Sequence, residues 1–240
     1  MAIQHVAILG LGPSLNAYVD LVKRLGARRR FADEVWAINA LGDVVQCDRI
    51  FHMDDVAVQE ARAAAKPESN IAAMVEWMRS HPGPIYTSTV RDGYPGLVAF
   101  PLQAVINSLG YAYFNNTAAY AVAYAIYIGV QRISMFGCDY TYPNAHDAEK
   151  GRACLEFWLG YAAARGIKLG TADTSTLLDA LEPEERRLYG YDGVHVTIEP
   201  QPDGSAAVSF EPRDIPTAAE IEARYDHSAH PNPLVEGAKR

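Results

Sequence analysis

Apolar and polar positions along this chain alternate between two periods. Val6-Ala-Ile-Leu9 is a short continuous apolar run, partly β-branched, as expected of a parallel strand buried on both faces. After Gly10–Ser14 the period lengthens. Leu15, Tyr18, Val19 and Val22 recur at helical spacing as far as Arg24, and Gly26 stops the helix. The same alternation then repeats. Strands are expected at Glu34–Asn39, Arg49–Met53, Ile85–Ser88, Arg132–Phe136 and Ile167–Leu169. Helices are expected at Val56–Lys66, Ile71–Arg79, Val105–Leu109, Ala118–Ile128, 147–164 and, briefly, Ser175–Leu181. The Pro- and Gly-containing stretch Tyr94–Leu102 reads as irregular. Near the end the texture changes: Val194–Ile198 and Ala206–Phe210, joined by Pro-Gln-Pro-Asp-Gly-Ser, read as an antiparallel hairpin.

Strands alternating with helices predict an α/β fold: a Rossmann-like parallel sheet with helices on both faces, plus a small C-terminal β-hairpin. The organisation expected is a nucleotide- or nucleotide-sugar-binding catalytic domain over 1–190, a hairpin extension packed on it over 191–225, and a flexible tail over 226–240. Ligands of such sheets sit beyond the carboxyl ends of the strands. The residues to read together are therefore Gly10–Ser14, Asn39, Asp54-Asp55, Ser88 and Asp139–Tyr142.

Composition narrows the function. The chain of 240 residues has a formal net charge of −8, which argues against general affinity for nucleic-acid backbones. The three cysteines, Cys47, Cys138 and Cys154, are widely spaced and form no CxxC pair, so neither a disulfide framework nor a zinc site is expected. A reducing cytoplasm is the expected compartment. The first residues, MAIQHVAILGLG, lack a basic leader and read as the first core strand. No apolar run approaches the roughly 20 residues that span a bilayer, so no membrane partner is expected.

Several positions carry candidate chemistry. In the turn Gly10-Leu-Gly-Pro13-Ser14, missing side chains let backbone N–H groups approach a phosphate at a helix N-terminus, and Ser14 can cap the helix or donate to an anion. The alternative is a plain tight turn. It is not the dinucleotide fingerprint, because the third glycine is missing and Asn39, not an acid, ends the second strand. The Asn39 amide can read a sugar hydroxyl, a base edge or a phosphate. Asp54 and Asp55 can hold Mg²⁺ or accept ribose hydroxyls; equally, one of them can cap the next helix. Asn116-Thr117 opens the most apolar helix, where capping and ligand contact are compatible. Tyr120, Tyr124 and Tyr127 share a helix face and read as core, as does His52 within a strand. His146, in the loop before the helix over 147–164, is the side chain best suited to proton transfer near neutral pH, although a lone loop histidine is more often surface decoration.

Taken in order over residues 4–181, these features resemble the bacterial sialyltransferases that decorate lipooligosaccharide. Their superfamily includes flagellin glycosyltransferases and archaeal-type hydroxymethylpterin diphosphokinases. The family's Gly-Asn-Gly-Pro-Ser-Leu turn is matched by Gly10–Leu15, with Leu11 replacing the donor-binding Asn. Asn39 stands where the family holds its donor nucleotide. Asn116-Thr117-Ala118 stands for its Thr-Ser-Gly, and Gly137-Cys-Asp139-Tyr140-Thr141 for its Gly-Ile-Asp-Phe-Tyr. The family's catalytic His is followed nine residues on by Leu-Glu-Phe, as His146 is by Leu155-Glu156-Phe157. The phosphate-contacting tyrosines have no clean match: Thr141 aligns with one, and Tyr140 and Tyr142 flank it. Met53-Asp54-Asp55 replaces an Asn-Pro-Ser, so the donor need not be a cytidine monophosphate sugar. The chain also resembles small proteins of tailed phages.

The resemblance implies a glycosyltransferase with a nucleotide-sugar donor and a hydroxyl acceptor, with no cofactor required. His146 would be the general base. Amides around Gly12–Ser14, with Thr117 and a tyrosine (Tyr140 or Tyr142), would stabilise the leaving phosphate. Gly10, Pro13, Asn39, Asp54, Asn116 and Asp139 would bind the donor. The acceptor is left open between a modified DNA base, a glycan and a small metabolite. Two alternatives stand beside it. One is Mg²⁺-dependent diphosphate transfer from ATP to a hydroxymethylpterin-like acceptor, with Asp54 and Asp55 on the metal. The other is a non-catalytic nucleotide binder. Edge-to-edge pairing of the late hairpin would give a homo-oligomer.

Overall fold

A computed structural model describes residues 3–141, 144–182 and 187–223. The chain divides into two compact units, Met1–Leu181 and Glu182–Arg240.

The first unit is a seven-stranded, all-parallel sheet in the order β5-β4-β3-β2-β1-β6-β7. Its strands are β1 (His5–Leu9), β2 (Glu34–Ile38), β3 (Arg49–Phe51), β4 (Ile85–Thr87), β5 (Leu97–Ala99), β6 (Arg132–Phe136) and β7 (Lys168–Thr171). Its helices are α1 (Leu15–Leu25), α2 (Val56–Ala65), α3 (Asn70–Ser80), α4 (Leu102–Leu109), α5 (Thr117–Tyr127) and α6 (Ala145–Ala164). The expected Rossmann-like class is therefore the observed one.

Strand alternation divides the core in two. Val6, Ile8, Trp36, Phe51 and Ile133 turn toward α5 and α6. Ala7, Leu9, Val35, Ala37, Ile50 and Ile85 turn to the opposite face, where Tyr18 of α1, Val56 of α2 and Val75 and Met78 of α3 pack. Helix α5 is apolar nearly all round because it is buried all round, between the sheet and α6. Its run of small residues (Ala118, Ala119, Ala121, Ala123 and Ala125) lets it lie close to the strands. Trp158 of α6 is fully buried, and its ring N–H donates to the Tyr113 carbonyl at 2.7 Å. Helix α1 ends as expected, on Gly26 at φ +74°.

Several boundaries differ from the sequence reading. The stretch Tyr94–Leu102 is not wholly irregular: it contains the edge strand β5, paired with β4 at Tyr86–Val98 and Thr87–Ala99. Three residues with Val98 outward are too short to carry a pattern. Strand β2 stops at Ile38, and Asn39 opens a 3₁₀ turn, Asn39–Asp43, with φ +53°. The helix expected at Ser175–Leu181 is only a 3₁₀ turn, Leu177–Asp179, in which Leu178 and Asp179 have φ of +55° and +51°.

In the second unit, strands β8 (Val194–Pro200) and β9 (Ala206–Pro212) form the expected antiparallel hairpin. A short helix, Ala218–Glu222, follows it, opened by a capping box between Thr217 and Glu220; the sequence reading placed no helix there. The tail expected over 226–240 lies outside the described residues.

Burial sets a pH limit on this fold. Desolvation lowers the pKa of His5, with Arg132 adding to the effect, and lowers that of His52 against the opposing pull of Asp54. The unfolded chain therefore takes up these protons as pH falls through about 6.5, while the folded chain does so only at lower pH. Stability should be full above that pH and decline below it. Urea unfolding should show a lower midpoint at pH 5.5 than at pH 7.5, with a smaller drop in His52→Gln; an identical drop would mean that His52 does not contribute.

Candidate functional site

The sheet order changes direction between β1 and β6. Each successive crossover up to β5 moves away on one side, and the chain then returns to place β6 and β7 on the other. The loops leaving β1 and β6 diverge over a crevice, the place where open parallel sheets bind ligands.

Two backbones meet there with no room for side chains. Gly10 N–H donates to Phe136 O at 2.8 Å, and Gly12 N–H to Gly137 O at 2.7 Å. A Cβ on Gly10 would lie 2.4 Å from Gly137 O, and one on Gly137 would lie 2.0 Å from Gly10 O. Gly137 also has φ +69°. Side chains lock the junction. The Ser14 hydroxyl donates to Asp139 Oδ1 at 2.6 Å and accepts from Gly137 N–H at 2.7 Å. Ser14 N–H donates to Asp139 Oδ2 at 2.7 Å, and the Ser175 hydroxyl donates to Oδ1 at 2.6 Å. The Thr176 hydroxyl holds the Asp139 carbonyl.

This corrects the expected phosphate cradle. The amides of Gly10, Gly12 and Ser14 are already spent inside the protein, and Pro13 has none. Ser14 is 1% exposed, makes no side-chain cap bond to α1 and does not line the cavity over this junction. Asp139, 3% exposed, serves as the anchor of the two loops. The physical reason is tertiary: β6 leaves the sheet beside β1 and supplies the acceptors that a phosphate would otherwise supply.

Over this junction lies a cavity of about 600 Å³. Gly10, Gly12 and Pro13 line it from α1's side, Asn39 and Asp54 from the ends of β2 and β3, and Asn116 and Thr117 from α5. Asp139 and Tyr140 line it from the β6 exit. Leu11, Ile38, Asn115, Ala118, Cys138 and Thr141 complete the wall. Leu11 and Thr141 lie in strand-end stretches gathered from the sequence, and Ala118 and Cys138 in matched motifs; nothing in their types singled out Ile38 and Asn115.

The α5 end of the cavity is polar and preorganised. Asn116 Oδ1 accepts from Ala119 N–H at 2.9 Å, capping the helix, and from the Tyr140 hydroxyl at 3.0 Å. Asn116 Nδ2 donates to Gly151 O at 3.0 Å. The N–H groups of Thr117 and Ala118 precede the first intrahelical bond and have no acceptor among the described residues. Tyr140 is held at φ +50°, and its ring lies against Gly151 of α6, where a Cβ would sit 2.5 Å away. A glycine inside a long helix is the signal that could have revealed this contact.

Other predicted residues fall elsewhere. Asp55 accepts from Ala57 N–H at 2.8 Å and caps α2, so it does not join Asp54 in a shared site. Among the described residues no cluster of His, Cys, Asp or Glu could hold a metal ion. His146 is not in a loop but in the first turn of α6, capped by Asn144; it is exposed and does not line the cavity. The connecting residue Tyr142 lies outside the described residues. A second groove of about 450 Å³ runs along α6, lined by Glu149, Arg152, Glu156 and Thr176, and shares Tyr140 with the first.

No protein-family model matches the chain, and no curated protein matches it. Similar solved structures include the sialyltransferase CstII from Campylobacter jejuni with the substrate analogue cytidine-5′-monophosphate. That structure is 16% identical, with a TM-score of 0.43 over 73% of this chain and 82% of that one. The same enzyme with CMP-3FNeuAc gives 18% identity and a TM-score of 0.43 over 73% and 83%. Overlaps this loose carry nothing about ligand or reaction.

The glycine junction makes a sharp prediction. Gly137→Ala must both move Gly10 and hold a positive φ, so it should destabilise the fold by about 3 kcal/mol or more. Gly129→Ala, also at positive φ (+80°) but with open space around its Cβ, should cost about 1 kcal/mol. Equal losses in denaturant titrations would show that the close approach is not the constraint.

Proposed function

We propose that the chain is a glycosyltransferase that takes a nucleotide-sugar donor into the switch-point cavity and passes the sugar to a hydroxyl acceptor. The observation that carries this reading is the pair of unsatisfied N–H groups of Thr117 and Ala118, set at a helix N-terminus in the wall of a cavity sized for a small ligand. The donor phosphate would sit on them, with the Thr117 hydroxyl beside it. Asn39 and Asp54 would meet the neutral, hydroxyl-bearing parts of the donor.

In the transfer, a bond forms between the acceptor oxygen and the sugar while the bond from the sugar to the phosphate oxygen breaks. The nucleotide leaves with the electron pair, and a base takes the acceptor proton. His146 is the candidate base, serving an acceptor held outside the donor cavity on the α6 side. Its exposed position also favours a second reading, a nucleotide binder without turnover.

Melting temperatures measured with nucleotides and nucleotide sugars, with and without Mg²⁺, should rise with ln(1 + [L]/Kd) for the true ligand class. Thr117→Pro keeps α5, because proline fits the first helical position, but removes one N–H and the hydroxyl. It should weaken nucleotide binding about tenfold to a hundredfold, two hydrogen bonds' worth; unchanged affinity would move the phosphate elsewhere. His146→Ala should lower turnover about 10²- to 10⁴-fold with donor affinity intact. Donor binding with no turnover in the unaltered protein would favour the binder.

A further inference from the structure

Among the described residues, four buried side-chain atoms have no hydrogen-bond partner: Asn39 Oδ1, both ring nitrogens of His52, and Thr87 Oγ1. They are not scattered. The register pairs Ile38 with Phe51 and Phe51 with Tyr86 across β2, β3 and β4. Asn39 and His52 directly follow the last residues of β2 and β3, and Thr87 ends β4, so the three follow one another along the carboxyl edge of the sheet. His52 N–H donates to Tyr86 O at 2.8 Å, which keeps the ladder intact at that level. By strand alternation His52 and Thr87 turn to the face of Ile50 and Ile85. They are 1% and 0% exposed.

Protein interiors pair nearly all such atoms, and unpaired ones call for a specific cause. Four such atoms at the edge where these sheets bind ligands, adjoining the cavity at Asn39, leave a polar demand that the protein itself does not meet. The chemistry of the row identifies the guest. Asn39 Oδ1 only accepts, the Thr87 hydroxyl donates and accepts, and a neutral imidazole offers one donor and one acceptor. An anion would face the Asn39 oxygen and the imidazole lone pair. Sugar hydroxyls, each of which donates one hydrogen bond and accepts others, can meet these demands where two or more enter together.

We propose that the Asn39–His52–Thr87 row is a buried subsite for hydroxyl groups of the donor's sugar, reached from the cavity past Asn39. The proposal rests on the nucleotide-sugar reading above. Because His52 and Thr87 are covered, binding includes a shift of Met53–Asp55, the partly exposed connection that follows His52 directly.

Thr87→Val keeps the side-chain shape and removes the hydroxyl. Isothermal titration of this variant and the parent would use UDP against UDP-glucose, GDP against GDP-mannose, and CMP against a CMP-linked sugar. For the pair that binds, affinity for the nucleotide sugar should fall about threefold to tenfold, one hydrogen bond's worth, while affinity for the bare nucleotide stays the same. The free variant should melt at the same temperature as the parent or higher, since a buried unpaired hydroxyl is gone. Equal losses for nucleotide and nucleotide sugar, or no loss for either, would overturn the subsite while leaving nucleotide binding in place. No binding of any pair by the parent would remove the donor reading and the subsite together. In the unaltered protein, the His52 ring ¹⁵N resonances should move with the nucleotide sugar and not with the nucleotide; unmoved resonances would overturn the proposal without any variant.

Discussion

The first unit depends on the contact between the backbones of Gly10 and Gly137. Parallel strands β1 and β6 are neighbours that are far apart in sequence, and they leave the sheet toward opposite sides. Their exits can diverge only if the two chains first pass within hydrogen-bond distance, which leaves no space for a Cβ on either. The glycines make that passage sterically possible. Ser14, Asp139, Ser175 and Thr176 then fix it with a set of mostly buried hydrogen bonds in which every polar atom described has a partner. A buried carboxylate is tolerated here because it accepts three hydrogen bonds.

That junction decides which of these backbone amides are left without a partner. Glycine turns at helix N-termini commonly cradle phosphates with free amides, but here the Gly10, Gly12 and Ser14 amides donate to the β6 exit. The helix on the other face, α5, keeps its first amides free because Asn116 caps only the third one, at Ala119. The same Asn116 is held by Tyr140 and by Gly151 of α6, so the geometry of the α5 terminus is set by three elements rather than by a flexible loop. The free amides at the α5 terminus and the neutral, unpaired groups at the carboxyl ends of β2, β3 and β4 give the cavity's surroundings two different chemistries.

The sequence gathered residues that line one cavity, but not the bonds that several of them make. Gly10, Gly12, Pro13, Asn39, Asp54, Asn116, Thr117, Asp139 and Tyr140 were chosen as strand-end or helix-start residues, and all of them border one cavity. Their roles depended on partners that spacing does not reveal. Ser14 has the residue type of a cap yet is bonded to a residue 125 positions away. Asp54 and Asp55 are adjacent, but one faces the cavity and the other caps α2. His52 resembled a core residue because it is one; its lack of a hydrogen-bond partner shows only in three dimensions.

Hydrophobic periodicity by itself determined the α/β class, nearly every strand and helix, and the late hairpin, because burial on two sheet faces leaves a pattern of period two or of continuous apolar runs that no loop imitates. It also determined, through the carboxyl-end rule, which residues to gather. The tertiary structure alone decided the strand order, the edge strand β5, the consumption of the glycine-turn amides and the unpaired row at Asn39, His52 and Thr87. The physical reason is that a hydrogen bond is a property of two groups, and in a parallel sheet the second group comes from a strand that the sequence does not name.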